Sequence, residues 1–291
     1  METAELLKKV RLIELKTKGL SNQIFSGEYH SAFKGRGMAF SEVREYSPGD
    51  EIRTIDWNVT ARFDKPYVKV FEEERELTMM LLVDMSASEQ FGSRVQFKKN
   101  LITEICAVLA FSAIQNNDKV GVLFFTETVE KFIPPKKGRS HILRIIRELI
   151  DFKPESKQTN IEEALRYFNS VIKKRSIAFL LSDFQDSGFE SALRIANQKH
   201  DMVGIHINDY LEDELPDIGF VPIRDLETGQ EQWIDTSNKK VRYAFAMDRK
   251  KKNAELKQLF RKSGVDYTTI RTDQPYAKPL MQLFKQRGSR K

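Results

Sequence analysis

The stretch LTMMLLVD, residues 77–84, decides the fold that we expect for this 291-residue chain. Leu77–Val83 is a short and largely apolar run, and Asp84 directly follows it. Such a run is typical of a strand that a parallel sheet buries on both faces. The sequence therefore predicts a central strand that ends in a carboxylate.

Strand-like and helix-like stretches alternate from this strand onward. Asn160 precedes one of the helical stretches and is a favoured helix-capping residue. Alternation of this kind predicts an α/β fold, with a doubly wound, mostly parallel sheet and helices on both faces. The other predicted strands are Lys119–Phe125, Ser176–Leu181, Met202–Ile207 and Val265–Ile270, and the helices are Val95–Ile114, His141–Ile150, Ile161–Ile172, Phe189–Gln198 and Pro279–Gln286.

Two segments depart from the alternation. Residues 1–75 contain a predicted helix, 4–16, followed by a turn-rich stretch that we expect to form a small β-rich layer against the main sheet. Within the main domain, 76–291, we predict a hairpin insertion around 211–238 with its turn at Glu227–Thr228–Gly229. Arg53, Asp56 and Trp57 are interpreted as a buried ion pair and aromatic that lock the layer in place, with a binding surface as the alternative.

Composition excludes several classes of protein and site. No stretch reaches the ~18–20 apolar residues that cross a bilayer. The N-terminal stretch lacks the apolar core of a signal peptide, so a cytoplasmic location is expected. Cys106 is the single cysteine and lies in an apolar stretch, which indicates a buried, inert thiol. The four histidines are scattered without the spacing of zinc ligands.

Positive charge is concentrated toward the C-terminus. Residues 239–291 contain 16 Lys and Arg against four Asp and Glu. Such a segment can attract nucleic acid or acidic partners. Because Leu256, Leu259 and Phe260 recur among the lysines, we interpret the segment as containing a solvated amphipathic helix.

The polar residues that follow two of the buried strands are the candidate site. Asp84–Met85–Ser86–Ala87–Ser88 supplies one carboxylate and two hydroxyls directly after the first strand. Thr159 precedes the helix that Asn160 caps, and Asp183 follows the strand of residues 176–181. Ligands of open parallel sheets bind at the carboxyl ends of the strands, and Mg²⁺ prefers oxygen ligands. These residues therefore predict a hard-cation site at that edge.

The five candidates resemble a known binding motif. Asp84, Ser86, Ser88, Thr159 and Asp183 match, one by one, the metal-ion-dependent adhesion site (MIDAS) of von Willebrand factor A domains and integrin I domains. Many such domains have glycines before the threonine, where this chain has Lys157–Gln158. The wider sequence resembles the bacterial family called domain of unknown function 58. This resemblance rests on Gly35–Arg36–Gly37, Val43–Arg44–Glu45–Tyr46, Pro48–Gly49–Asp50, Arg53–Thr54–Ile55–Asp56–Trp57, Thr60–Ala61–Arg62, Phe71–Glu72–Glu73–Glu74–Arg75–Glu76 and Ser182–Asp183–Phe184.

The resemblance implies a non-enzymatic, metal-dependent protein-interaction module. Ser86 and Ser88 would ligate Mg²⁺ (or Mn²⁺), Asp84 and Asp183 would act through waters or hydrogen bonds, and Thr159 would bind directly or through water. An acidic residue of a protein partner would complete the coordination. The resemblance also implies a MoxR-type AAA+ ATPase as a partner in a chaperone or assembly system.

Two alternatives remain open at this point. A strand that ends in Asp also occurs in Mg-dependent phosphatases with an aspartyl nucleophile. Those enzymes usually need a second carboxylate two residues on, and Ser86 stands there. The other alternative is binding of nucleic acid by the basic C-terminal segment, although its aromatic residues are spaced as for a core. We expect neither catalysis, nucleic acid binding nor insertion into a membrane.

Overall fold

The computed structural model describes residues 8–17, 38–63, 65–73, 77–90, 97–224 and 231–289. By compactness the chain forms two units, Phe33–Glu76 and a larger one that comprises Met1–Ala32 and Leu77–Lys291. The elements in chain order are α1 (8–17), β1 (Met38–Glu45), α2 (Trp57–Phe63), β2 (Tyr67–Glu73), β3 (Thr78–Asp84), α3 (Lys98–Gln115), β4 (Lys119–Phe125), β5 (Val129–Lys136), α4 (Arg139–Asp151), α5 (Ile161–Val171), β6 (Ile177–Ser182), α6 (Glu190–Lys199), β7 (Asp201–Asn208), α7 (Tyr210–Asp213), β8 (Phe220–Arg224), β9 (Glu231–Asp235), α8 (Lys239–Lys262), β10 (Asp266–Arg271) and α9 (Ala277–Gly288).

Helix α1 belongs to the larger unit, whereas the sequence prediction grouped it with the rest of residues 1–75. Val10 and Thr17 of this helix are buried, and two ion pairs join it to the larger unit. Lys16 Nζ lies 2.7 Å from Glu104 Oε1, and Arg139 Nε donates to Glu14 Oε1 at 2.6 Å. Residues 4–7 of the predicted helix lie outside the described residues.

The smaller unit pairs β1 with β2 in an antiparallel arrangement. The prediction that Arg53 and Asp56 form a buried ion pair beside a buried Trp57 is wrong. Trp57 is 67% exposed and Arg53 is exposed as well. Asp56 instead caps α2, since its carboxylate accepts the backbone N–H groups of Asn58 and Val59. Of the resemblance motifs, Gly35–Arg36–Gly37 lies outside the described residues.

The larger unit contains a sheet of six described strands in the order β10-β7-β6-β3-β4-β5. All neighbouring strands are parallel except β5, which runs antiparallel to β4. The predicted α/β class, with a mostly parallel sheet, is confirmed, and the predicted helices and strands of this unit are present with ends shifted by a few residues. Strand β3 lies between β4 and β6, so the chain reverses its direction of winding at β3.

Helices cover both faces of this sheet. One face forms a hydrophobic core with α5, α6 and α8, in which Leu82, Leu180 and Phe260 are fully buried. Phe260 packs on Gly204 of β7, where any Cβ would overlap its ring. On the other face Phe179 of β6 meets Phe284 of α9 at a ring-centroid distance of 6.3 Å.

Strand β5 was not predicted from the sequence. It contains Pro134 and Pro135, which cannot donate to a ladder, and most of it is only partly buried. Proline is tolerated in edge strands, and β5 is the edge of the sheet. Its pattern therefore lacks the apolar continuity of the buried strands.

The predicted hairpin insertion is present as the antiparallel pair β8 and β9, while the turn, 225–230, lies outside the described residues. Helix α8 follows as the expected solvated helix, with Phe260 as its one buried residue. No helix in the described ranges is long and apolar enough to cross a membrane.

Candidate functional site

Asp84 is the last residue of β3 and is fully buried where the strand winding reverses. Its Oδ1 accepts the backbone N–H of Ser86 at 2.9 Å, and its Oδ2 accepts the hydroxyl of Ser182 at 2.6 Å. Burial and the nearby charge of Asp183 raise the pKa of Asp84 to about 7. The hydrogen bonds that Asp84 accepts therefore do not fully offset the cost of burying its negative charge.

The two serines of the turn point their hydroxyls at each other. Ser86 Oγ and Ser88 Oγ are 3.0 Å apart, and both residues are buried. The turn is held by backbone bonds on either side, from Met85 N to the carbonyl of Phe125 and from Ala87 N to the carbonyl of Lys157. This turn is rigid because its neighbours on two sides fix its backbone.

Asp183 is the first residue after β6, the strand next to β3, and is 3% exposed. Burial opposes its ionisation, but the ammonium of Lys98 and a hydrogen bond with Ser88 prevail and lower the pKa of Asp183. Lys98 Nζ donates to Asp183 Oδ2 at 3.1 Å and to Glu212 Oε1 at 2.6 Å. Hydrogen bonds thus connect Asp84 to Ser86, Ser86 to Ser88 and Ser88 to Asp183.

Thr159 is half-buried on the segment that passes beside this turn. The segment is fixed by the bond from Ala87 N to the Lys157 carbonyl and by the bond from Asn160 N to the Thr126 carbonyl. Asn160 caps α5 as predicted, accepting the N–H of Glu163 at 2.9 Å. The structure therefore links four of the five predicted side chains in one network and brings the backbone beside Thr159 next to it.

The loop before Thr159 does not depend on glycine. In the described part of the chain, the non-glycine residues with positive φ are Asn117 and Phe184. Lys157 and Gln158 thus have backbone conformations that are open to any L-residue. The departure from the glycines of many von Willebrand factor A domains requires no strained backbone here.

Phe184 has a φ of 53°, in the left-handed region that a bulky residue rarely adopts. Its N–H donates to the Ser182 hydroxyl, which itself donates to Asp84. Its ring packs against Phe260 at a centroid distance of 5.0 Å. Strain of this kind is typical of functional sites, and here it lies directly after Asp183.

Sequence reasoning missed Lys98, Ser182 and Glu212 as members of the site. Ser182 belongs to the quoted Ser182–Asp183–Phe184 motif, so its proximity to Asp183 was a usable signal. Lys98 and Glu212 lie 85 and 29 residues from Asp183, on different helices. Neither has a motif of its own, so only the fold reveals that they meet.

The fit of this network to a small hard cation depends on its hydroxyl oxygens. Ser86 Oγ and Ser88 Oγ are 3.0 Å apart, which is an ordinary hydrogen-bond distance and is also compatible with two oxygens that share one Mg²⁺. Among the described residues no cluster of three or more His, Cys, Asp or Glu is arranged to hold a metal. A cation at this edge would therefore need hydroxyl ligands, as in the predicted set.

Charge is also compatible with a cation. The cluster holds the carboxyl groups of Asp84, Asp183 and Glu212 and the ammonium of Lys98. Burial raises the pKa of Asp84 to about 7 and also raises the pKa of Glu212, so these two acids gain from binding a proton or a cation. The metal-ligand role of the five residues stays a prediction.

A cavity of about 700 Å³ borders the network. Asp183 and Glu212 are among its lining residues, together with residues of α6 and α8 such as Arg194 and Leu256. Asp84 and the two serines of the turn do not line it. The cleft therefore adjoins the Asp183 side of the network and not the serine hydroxyls.

Comparisons with known proteins give relatives of similar length, solved structures and a matching family. The uncharacterized protein Rv1480 of Mycobacterium tuberculosis is 27% identical over 292 aligned residues, which cover 99% of this chain and 91% of that protein. An aerotolerance-related membrane protein from Bacteroides fragilis aligns with 74% of this chain and 100% of its own, at 17% identity and a TM-score of 0.48. The SpRpn10 VWA domain aligns with 72% of this chain and 94% of its own, at 12% identity and a TM-score of 0.37. The model of the family described as "Protein of unknown function DUF58" matches residues 42–255, and the chain therefore belongs to the DUF58 family.

Proposed function

We propose that this chain is a non-enzymatic protein-interaction module that binds an acidic residue of a partner through a divalent cation. The observation that carries the proposal is the hydrogen-bonded network of Asp84, Ser86, Ser88 and Asp183 at the carboxyl ends of β3 and β6. The motif and the burial of its acids favour a cation at this edge of the sheet.

The residues of this chain would have the following roles in binding the cation. Ser86, Ser88 and Thr159 would offer neutral hydroxyl oxygens. Asp84 and Asp183 would accept hydrogen bonds from metal-bound waters and keep the site anionic. When bound, Mg²⁺ or Mn²⁺ supplies a coordination position that a carboxylate oxygen of the partner can occupy. Because the hydroxyl ligands are neutral, they leave the ion attractive to that carboxylate.

The identity of the partner is a further part of the proposal. The family resemblance supports a MoxR-type AAA+ ATPase, in a chaperone or assembly system. Catalysis has less support, because Ser86 stands where an aspartyl phosphatase carries its second carboxylate.

The test is a binding assay between this chain and the purified MoxR-type ATPase of the same organism. It compares Mg²⁺ with EDTA, for the wild type and Asp84→Ala. We expect binding in Mg²⁺ that EDTA or the substitution weakens at least about tenfold. Equal affinity under all four conditions would end the metal-bridge proposal.

A further inference from the structure

Lys98 occupies an unusual position for a cation. It is the first residue of α3 and is fully buried. The N-terminus of a helix carries partial positive charge and favours acidic side chains, and α3 has none in its first turn. A buried ammonium there is stable only if carboxylates compensate both the desolvation and the unfavourable dipole.

Two carboxylates from separate elements supply that compensation. The two oxygens that accept from the Lys98 ammonium, one on Asp183 and one on Glu212, also accept from Gln185 Nε2 at 3.3 Å each. Glu212 is itself fixed, because its Oε2 accepts the N–H of Asp209 in the capping box of α7. Lys98 is thus held in place and cannot move away without breaking a buried cluster.

We propose that Lys98 is a positioning residue that weakens divalent-cation binding by holding the carboxylate of Asp183; this inference rests on the proposed function. Asp183 is the acid that the cation and the ammonium would have to share. Like charges that share one carboxylate repel, and this repulsion reduces the affinity for the cation. The site then binds a cation tightly only when the carboxylate of a partner adds negative charge.

The same cluster defines the variants that test this role. Removing Lys98 alone would leave Asp183 and Glu212 buried without its ammonium. Lys98→Met is therefore combined with Glu212→Gln, which leaves the formal charge of the cluster unchanged. Glu212→Gln alone retains the ammonium beside Asp183. Arg287→Met is the distant control, because Arg287 bridges Asp201 and Asp266 at the opposite ends of the parallel strands.

The experiment measures the Kd for Mg²⁺ by isothermal titration calorimetry, and for Mn²⁺ by electron paramagnetic resonance, on the full chain. We expect the double variant to bind about tenfold or more tightly than the wild type. Glu212→Gln alone is expected to bind about twofold to fivefold more weakly, since its ammonium then pairs with Asp183 without competition. Arg287→Met is expected to match the wild type within about twofold. Thermal melting in EDTA establishes that each variant is folded.

The outcomes separate this inference from the proposed function. If the wild type binds Mg²⁺ and the double variant binds equally or more weakly, the role of Lys98 is overturned while the cation site stands. If only the double variant binds, Lys98 is supported as the residue that opposes the ion. If neither binds, both the role of Lys98 and the cation site are overturned.

Discussion

At each end of the parallel strands a buried basic side chain lies between two acids, and the two clusters differ in their surroundings. At the amino ends of β7 and β10, Arg287 lies 2.5 Å from Asp201 and 2.8 Å from Asp266. Its side chain is 9% exposed, whereas Asp201 and Asp266 are 33% and 23% exposed. Water can therefore solvate the excess negative charge of this cluster.

At the carboxyl ends, the side chains of Lys98 and Asp183 are 0% and 1% exposed. The cluster extends from Asp183 through Ser88 and Ser86 to the buried carboxylate of Asp84. Here an additional acid and neutral hydroxyls are assembled away from water. Both clusters hold a basic side chain between two acids, and the further buried acid and hydroxyls of this one are what favour ligand binding here.

Replacing the basic residue of each cluster should give the largest difference between the two ends, measured as loss of stability. Lys98→Met should lower the free energy of unfolding by about 3–5 kcal/mol in EDTA, because two acids lose their buried partner. Arg287→Met should cost on the order of 1–2 kcal/mol, because its acids are partly hydrated. Urea denaturation of both variants measures the difference, and equal losses would contradict the contrast in burial.

Acid should remove a stabilising contribution of His200 at the amino ends of the strands, which comparison with His200→Gln separates from the titration of Asp84 and His206 at the other end. His200 is buried, its Nδ1 lies 3.0 Å from Ser176 Oγ, and burial followed by the charges of Lys199 and Arg175 lowers its pKa to about 4. In the unfolded chain its pKa is ~6.5, so that state takes up the proton first as the pH falls. The stability from neutral His200 is therefore present above pH ~6.5 and is lost between about 6.5 and 4.

This loss should amount to about 1–3 kcal/mol and should be smaller in His200→Gln. Urea denaturation in EDTA at pH 7 and at pH 4.5 measures it for both proteins. An identical pH dependence of the wild type and His200→Gln would show that this histidine is not the group responsible.

A matched pair of serines sharpens the comparison at a smaller scale. Ser88→Ala and Ser176→Ala each remove a buried hydroxyl and should each cost about 1 kcal/mol of stability. Ser88→Ala should also weaken Mg²⁺ binding by about tenfold, whereas Ser176→Ala should leave it unchanged. Denaturation and calorimetry on the same samples separate the two effects, and a similar Kd for both variants would argue against Ser88 as a ligand.

Features that depend on local interactions were predictable from the sequence, whereas features that depend on contacts between distant segments were not. The buried strands were predictable because apolar runs such as Leu77–Val83 report local burial directly. Asp84 and Asp183 were predictable at one edge, because the carboxyl ends of parallel strands lie at the same edge of a sheet. Strand β5 was missed because its prolines and partial exposure remove the apolar signal.

The contacts of Lys98 could not be read from the sequence. They join α3 to the end of β6 and to α7, and nothing in the residues around position 98 encodes that meeting. The predicted burial of Trp57 failed for a similar reason. An aromatic residue near charged ones indicates burial only when another element covers it, and Trp57 is 67% exposed.

Direct measurement of cation binding tests the central claim most simply. Calorimetric titration of the full chain with Mg²⁺, checked with Mn²⁺, compares the wild type with Asp84→Asn, a substitution that preserves volume in the buried network. We predict one saturable site in the wild type and affinity at least about tenfold weaker in Asp84→Asn. Saturable binding of equal affinity in both proteins would contradict the account, and so would the absence of binding in both the wild type and the Lys98→Met/Glu212→Gln variant.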